Sequence, residues 1–328
     1  LVLRAAGKSV LILEKTDQVG GTTAISGGVM WIPDNRFMKS EGIDDSYEKA
    51  VAYLDAVVGD QDDTPGASRE RRLAYVAQAP KMIDFLVSQG IRLRRIPSWP
   101  DYHAAPGESV PGRTVVSELF DINQLGEWKS RLRPGFLPLP ANLDEAMQLP
   151  NFKRSWASKK VIARVIGRTI VSRLAGKHLV TAGQALQGQM LHAALEAGAE
   201  IRINAGVKQL VVENGRVTGV AIEKSNAQWR IGARCGVLLN AGGFARDLEM
   251  RQKYQPQPTS VDWTNANVGD TGEVMRMAME LGAETALMDL SWWNSVSIQP
   301  NGAHPNNVID ITKPHTIIVD ASGQRYVN

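Results

Sequence analysis

The chain has 328 residues, enough for a substantial core and two domains, and its 43% hydrophobic and 22% charged content is that of an ordinary globular protein. A formal charge of +3 offers no global field for nucleic acid, and no run reaches the ~18 apolar residues needed to cross a bilayer. The single Cys235 cannot form an internal disulfide; within its apolar run it reads as a small core residue of a cytoplasmic α/β protein in a reducing compartment.

Leu1–Gly7, LVLRAAG, reads as the last turns of a helix with Gly7 as its C-cap. Ser9–Leu13 is a short apolar run ending at Glu14, the form of a buried parallel strand whose last residue meets a ribose. Gly20–Gly21, Thr22, Thr23, Ser26 and Gly27–Gly28 follow within fourteen residues. Glycines let backbone approach a ligand, and hydroxyls bond to it. An ordinary strand and glycine loop is the plain alternative; the two glycine pairs and three hydroxyls favour a nucleotide site.

The stretch LEKTDQVGGTTAISGG resembles the second strand and following loop of the flavoproteins related to 3-ketosteroid dehydrogenases and fumarate reductases. The resemblance implies FAD as cofactor. Glu14, with Lys15 beside it, would hold the adenosine ribose, and Gly20, Gly21, Thr22, Thr23, Ser26, Gly27 and Gly28 would run along the pyrophosphate and flavin. A dinucleotide fold places its G-x-G-x-x-G turn about 20 residues before the ribose acid, and Glu14 has too few residues ahead of it. The chain therefore reads as a fragment without its first strand and phosphate turn. As written, it is expected to hold FAD poorly.

Helices are expected over Asp44–Val58, capped by Asp44 or Asp45, and over Ser68–Gln89, kinked or divided at Pro80 and ended by Gly90. Both read as cover for the sheet. Ile96–Asp121 is rich in Pro and Gly and reads as irregular, with Trp99, Tyr102 and Phe120 arguing against disorder. It resembles the family's W/F-P-D-Y…PG…GR segment. That makes Tyr102 a candidate active-site residue and Trp99 a candidate wall of the substrate pocket; a solvated loop tyrosine is the plain alternative. His103 reads as surface.

No Asp or Glu lies between Glu145 and Glu196, and Lys159, Lys160, Arg164, Arg168 and Arg173 interleave with Val161, Ile162, Val165, Ile166, Ile170 and Leu174 at helical spacing. This basic amphipathic helix, near 155–177, is either a solvated face packed on the flavin domain or a peripheral contact with an anionic membrane.

Thr181–Gly198 reads as a helix and Glu200–Asn204 as a strand. Val207–Glu213 and Arg216–Lys224 form a hairpin through Asn214–Gly215, Gln228–Ala233 adds a third strand, and Gly236–Asn240 is an apolar strand. The order resembles the second half of the same FAD domain, with Val207 offering backbone to the adenine and Ala241, Gly242, Gly243 and Phe244 packing on the flavin chain. Arg246–Gln255 looks helical. Asn267–Gly282 resembles the family's stretch near the flavin, assigning Gly269, Asp270, Thr271 and Gly272 to the cofactor, although Glu273 stands where the family has Asp. Trp292 and Trp293 resemble a paired-tryptophan wall of a steroid pocket, and two core aromatics is the equal alternative. Thr316–Asp320 reads as a strand, Ala321–Gly323 as a turn, and Arg325–Asn328 resembles the start of R-F/Y-V-N-E.

The expected fold is therefore an α/β FAD-binding Rossmann-like domain, a parallel sheet plus β-meander, over residues 1–290. It carries a helical insertion at about 36–180 and is followed by the truncated start of a catalytic domain at 291–328. The resemblance implies an FAD-dependent dehydrogenase of a 3-ketosteroid or similar cyclic ketone, working with an external electron acceptor and no metal. A fumarate reductase-like enzyme is the rival, and an inactive fragment the other.

Overall fold

A computed structural model describes residues 1–97, 99–224, 227–307 and 316–325. By contact the chain gathers into two units, Leu1–Asn240 with Met277–Ala286, and Ala241–Arg276 with Leu287–Asn328.

The first unit opens with α1 (Val2–Ala5), β1 (Leu11–Leu13), α2 (Gly21–Ile25), β2 (Met30–Trp31), α3 (Arg36–Ser40), α4 (Tyr47–Val58) and α5 (Arg69–Ser88). It continues through β3 (Leu93–Arg95), β4 (Thr114–Ser117), β5 (Phe120–Asp121), α6 (Leu143–Ala146), α7 (Trp156–Leu174), β6 (Leu179–Val180) and α8 (Ala182–Glu196). Strands β7 (Glu200–Arg202), β8 (Val207–Glu213), β9 (Arg216–Lys224) and β10 (Ala227–Gly232) complete it.

The expected parallel pairing is present: β1 runs beside β7, from Leu11 opposite Glu200 to Leu13 opposite Arg202. The expected meander is present as β8–β9–β10. Its first turn places both Asn214 and Gly215 at positive φ, as a tight hairpin demands. Leu13, Val207 and Ile231 pack on the buried Leu210, Val220 and Ile222, joining the parallel pair to the meander.

Ile96–Asp121, expected as irregular, contributes β4 and β5. Strand β4 sits between β2 and β3 in an antiparallel sheet. The pairing is between segments far apart in sequence, which a Pro/Gly-rich local reading does not reveal. Helix α5 packs Ala79, Ile83 and Leu86 against Ile32, Leu93 and Val115 of that sheet. Burial on both sides of Pro80 holds the helix unbroken through its 20 residues, against the expected division. Helix α4 is capped by Ser46, whose Oγ accepts from Lys49 N, and not by Asp44 or Asp45. Those two carboxylates are drawn instead to Lys49 and Arg113.

Helix α7 buries Val161 and Val165 on Ala141 and Ala146. Arg168, expected on a solvated basic face, reaches back to Glu145 at 2.6 Å, and Glu145 also accepts from Asn142 N in a capping box on α6. Burial pushes the Glu145 carboxyl up, but Arg168, the Asn142 N–H and Arg164 more than offset this and hold it below its usual 4.5. A depressed carboxylate stabilises the fold above its unfolded pKa and loses that contribution as pH falls through the folded one. Stability should therefore drop below about pH 4.5, and Glu145→Gln should flatten that part of a pH series of urea midpoints.

Two other expectations fail in the first unit. Gly236–Asn240 forms no strand, and Leu238 is 83% exposed. Cys235, expected in the core, is exposed on the same stretch. An apolar run needs a neighbouring strand to satisfy its backbone, and none of the described strands pairs with this one.

The second unit carries α9 (Leu248–Tyr254) and the first half of α10 (Glu273–Glu280), inside the expected helical stretches. Thr316–Asp320 is reduced to a single bridge, Val319 to Arg325, closed by the expected turn at Ala321–Gly323. Tyr326–Asn328 lie outside the described residues.

Candidate functional site

Glu14 follows directly on β1 and stays in its ladder: its N–H donates to the Arg202 carbonyl at 2.8 Å, and its carbonyl accepts from Ala205 N at 2.9 Å. Ala205–Val207 is thereby held beside it, and Gly206 packs on the stem of Lys15. The structure thus brings Glu14, Lys15 and Val207 together as the sequence expects. One carboxylate oxygen is already engaged: Oε1 accepts from Thr16 N at 2.7 Å and lies 2.9 Å from Thr16 Oγ1. Oε2 makes no hydrogen bond among the described residues, so the carboxylate is oriented with one oxygen to spare.

The glycine loop begins with Gly20 at φ +112 as the N-cap of α2, which contains Gly21, Thr22 and Thr23. The space where a Cβ of Gly21 would stand is open for 4 Å. Ser26 is used inside the loop: its hydroxyl donates to the Thr23 carbonyl at 2.8 Å and accepts from Gly28 N at 3.0 Å. Gly27 adjoins Val29 and Leu143.

The loop rests on the start of α8. A Cβ on Gly28 would fall 2.8 Å from Gly183 Cα, and one on Gly183 would fall 1.9 Å from the Thr23 carbonyl oxygen. Gly183 N donates to the Ser26 carbonyl at 3.0 Å. Two backbones touch where neither side could carry a side chain. Part of the loop's glycine content therefore serves this contact.

Sequence reading missed Gly183 and Arg133. The signal for the first was a glycine in the opening turn of a helix, where other residues do better. Arg133 carried none. Its N–H donates to the Val19 carbonyl at 2.9 Å, and its Nη2 donates to Thr16 Oγ1 at 3.1 Å. Its Nε is buried with no hydrogen-bond partner. A spare carboxylate oxygen and an under-used guanidinium, linked through Thr16, together with an open glycine face suit the ribose and diphosphate of an adenine dinucleotide.

A second cluster forms around the Trp99–Tyr102 segment. Arg113 is fully buried, with Nη1 2.6 Å from Asp101 and Nη2 2.6 Å from Asp45. Burial works against its charge, but the two carboxylates raise its pKa above the usual value. Asp101 also accepts from Trp31 Nε1 at 2.7 Å and Ser109 N at 3.0 Å. The guanidinium lies over the rings of Trp31 and Tyr53, and Tyr75, its phenol pushed up by burial, bonds to the Trp31 carbonyl. This anchor fixes the residue next to Tyr102, whose own side chain is 66% exposed. His103 is exposed, as expected. Trp99 packs on Ile96, Val116 and Leu143.

In the second unit the Ala241–Gly243 turn meets the Gly269–Gly272 loop. Gly242, at φ +75, faces Asp270, whose Oδ1 would stand 2.2 Å from an added Cβ. Gly272 N donates to the Gly243 carbonyl at 3.1 Å, and Arg246 N to the Asp270 carbonyl at 2.9 Å. Phe244 lies against Gly272 and the Tyr254 ring. Thr271 bonds to Glu273. Asp247 caps α9; burial raises it, but Met250 N and Arg276 hold it below the usual carboxylate range. Trp292 and Trp293 are both exposed.

A cleft of about 650 Å³ in the first unit is lined by Gln18, Leu132, His178 and Gln184 among others, and includes none of the residues nominated from sequence. Among the described residues no group of His, Cys, Asp and Glu is placed to hold a metal, and no helix is long and apolar enough to cross a membrane.

Comparison with known proteins identifies the family. A family model described as an FAD binding domain matches residues 1–328. A 3-oxosteroid 1-dehydrogenase of Mycolicibacterium smegmatis is 33% identical over 98% of the chain and 58% of its own length. One from Mycobacterium tuberculosis is 33% identical over 100% of the chain and 59% of its length. The crystal structure of a 3-ketosteroid delta1-dehydrogenase from Sterolibacterium denitrificans, in complex with 1,4-androstadiene-3,17-dione, aligns with TM-score 0.79 and 33% identity, over 92% of this chain and 56% of that one. The chain thus spans somewhat over half the length of the relatives it matches.

Proposed function

The chain belongs to the FAD-binding domain family, and on that footing we propose that it is the cofactor-holding part of a dehydrogenase acting on a 3-oxosteroid or a similar cyclic ketone. The carrying observation is the Glu14 carboxylate, oriented by Thr16 and held beside Val207, with one oxygen left for a ribose hydroxyl. Arg133 stands as the cation for the diphosphate, and Gly20, Gly21, Thr22, Thr23, Ser26, Gly27 and Gly28 form the loop along it. Val207 offers backbone to the adenine. The family resemblance assigns Ala241–Phe244 and Gly269–Gly272 to the flavin side.

FAD held there would supply a hydride acceptor for the substrate carbon neighbouring the one that gives up a proton beside the ketone. A tyrosinate takes that proton, and donors to the ketone oxygen stabilise the enolate. Tyr102, on a loop fixed by Asp101 and Arg113, is the tyrosine this chain supplies to that site, where it supports the one that takes the proton. Trp99 and, separately, Trp292 and Trp293 are the aromatic surfaces offered to the substrate. An external electron acceptor in the cytoplasm would complete the cycle.

Titrating the purified protein with FAD, followed by flavin fluorescence and by yellow colour retained on desalting, tests the reading. Glu14→Ala removes an acceptor to the ribose, and loss of a hydrogen bond to a charged group costs about 1.5–3 kcal/mol. The variant should bind FAD roughly ten- to hundredfold more weakly. Absence of any flavin binding by the unaltered protein would overturn the proposal. Turnover of a 3-ketosteroid with a dye acceptor separately tests the substrate class.

A further inference from the structure

Helix α7 has two apolar faces. The inner one, Val161 and Val165 with Ser158 and Ser172, is buried. At 100° per residue the line opposite it runs through Trp156, Ala163, Gly167, Ile170 and Leu174. Trp156 is 77% and Leu174 84% exposed, and Ile166, Ile170 and Val171 are each more than half exposed. This outer ridge follows the helix for about 28 Å at 1.5 Å per residue.

Cations flank the ridge on both sides. Lys159 and Arg173 lie along one flank with Ile166, and Lys160 and Arg164 along the other with Val171. Lys153 and Arg154 precede the helix and Lys177 follows it. Lys159 Nζ stands 4.4 Å over the Trp156 ring, covering the apolar end of the ridge with charge. The carboxylate that pairs with this helix, Glu145, is spent on Arg168 on the buried side, and its contact with Arg164 is a loose 3.6 Å. No acidic residue occurs from 146 to 195 to neutralise the surface.

We infer that the outer face of α7 docks on an anionic lipid surface, lying in the interface plane with Trp156, Ile166, Ile170, Val171 and Leu174 in the acyl boundary and the flanking lysines and arginines at the headgroups. A solvated helix has no use for an apolar ridge of this length, and none of the described residues covers it. A symmetric contact with a second copy would set Lys159, Lys160, Arg164 and Arg173 against the same residues of the other chain, so like charges oppose it. Lipid headgroups of opposite sign remove that conflict. The inference goes beyond the flavin chemistry and stands without it.

Co-sedimentation with vesicles tests it. The protein should bind phosphatidylcholine vesicles containing phosphatidylglycerol and release them at high salt, and should leave pure phosphatidylcholine vesicles largely unbound. Lys159→Gln with Lys160→Gln should weaken partitioning roughly 25-fold, about fivefold for each charge near the surface. Ile170→Asp with Leu174→Asp, both on exposed positions, should abolish it while the far-ultraviolet circular dichroism and melting temperature stay unchanged. No binding to anionic vesicles overturns the inference, as does binding that ignores both double variants. A dimer in solution that Ile170→Asp with Leu174→Asp dissociates, without lipid binding, overturns it in favour of a second copy.

Discussion

Replacing Arg113 with methionine is expected to destabilise the protein by about 3–5 kcal/mol, the cost of breaking a buried ion pair from one side. Arg113 has no exposed surface, and its removal leaves Asp45 and Asp101 facing each other's charge in an interior that excludes water. Asp45 retains only the Asp34 N–H at 2.8 Å, and Asp101 retains Trp31 and Ser109. The urea midpoint of Arg113→Met should fall accordingly. Asp101→Asn combined with Arg113→Met should cost less than the sum of the two alone, because each variant removes the same interaction. An additive pair, or an unchanged midpoint, would show that the cluster is not the anchor its geometry makes it. The loop bearing Tyr102 hangs from this cluster, so proteolysis within 102–108 should speed up in the variant before global unfolding does.

Gly183→Ala should be the most damaging single methyl group in the chain for flavin retention. The added carbon would occupy a place 1.9 Å from the Thr23 carbonyl oxygen and close to that of Ser26. Both are backbone atoms, which a side-chain rotation cannot move aside. Either α8 or the Gly20–Gly28 loop must shift, at a cost of about 1–3 kcal/mol in stability. Because the displaced segment is the proposed cofactor cradle, FAD affinity should fall at least tenfold even in a folded variant. Gly167→Ala, on the open outer side of α7 with nothing within 4 Å, is the matched control: it should leave FAD affinity unchanged and raise stability by up to about 1 kcal/mol. Equal FAD affinity in Gly183→Ala and the unaltered protein would remove the loop from the binding site.

What could be read from sequence was what is local. The β1 strand with its terminal acid, the Asn214–Gly215 hairpin and the periodicity of α4, α5, α7 and α8 all depend on residues within a few positions of each other. Non-local facts were hidden. Strand β4 pairs with β2 and β3 from a segment whose prolines and glycines suggest only a loop. Arg113 sits in a P-G-R turn that looks solvent-facing, and only the fold brings Asp45 and Asp101 to it. Gly236–Asn240 shows the converse: its composition suits a strand, but composition supplies no neighbour to pair with. Of the candidate site, the Glu14 end was legible because an acid after an apolar strand has a chemical meaning by itself. Gly183 and Arg133 act only through contacts with the loop, and Arg168 changed roles because Glu145 was placed beneath it.

The touching backbones of Gly28 and Gly183 constrain how this protein can be rebuilt. Neither position tolerates a conservative exchange, and no second substitution compensates for the first, since both sides have already been reduced to hydrogen. The loop and the opening of α8 are therefore inherited as one piece. An engineer who transplants the Gly20–Gly28 loop onto another scaffold must carry the Thr181–Gln184 corner along with it, or receive a loop of the right sequence in the wrong shape.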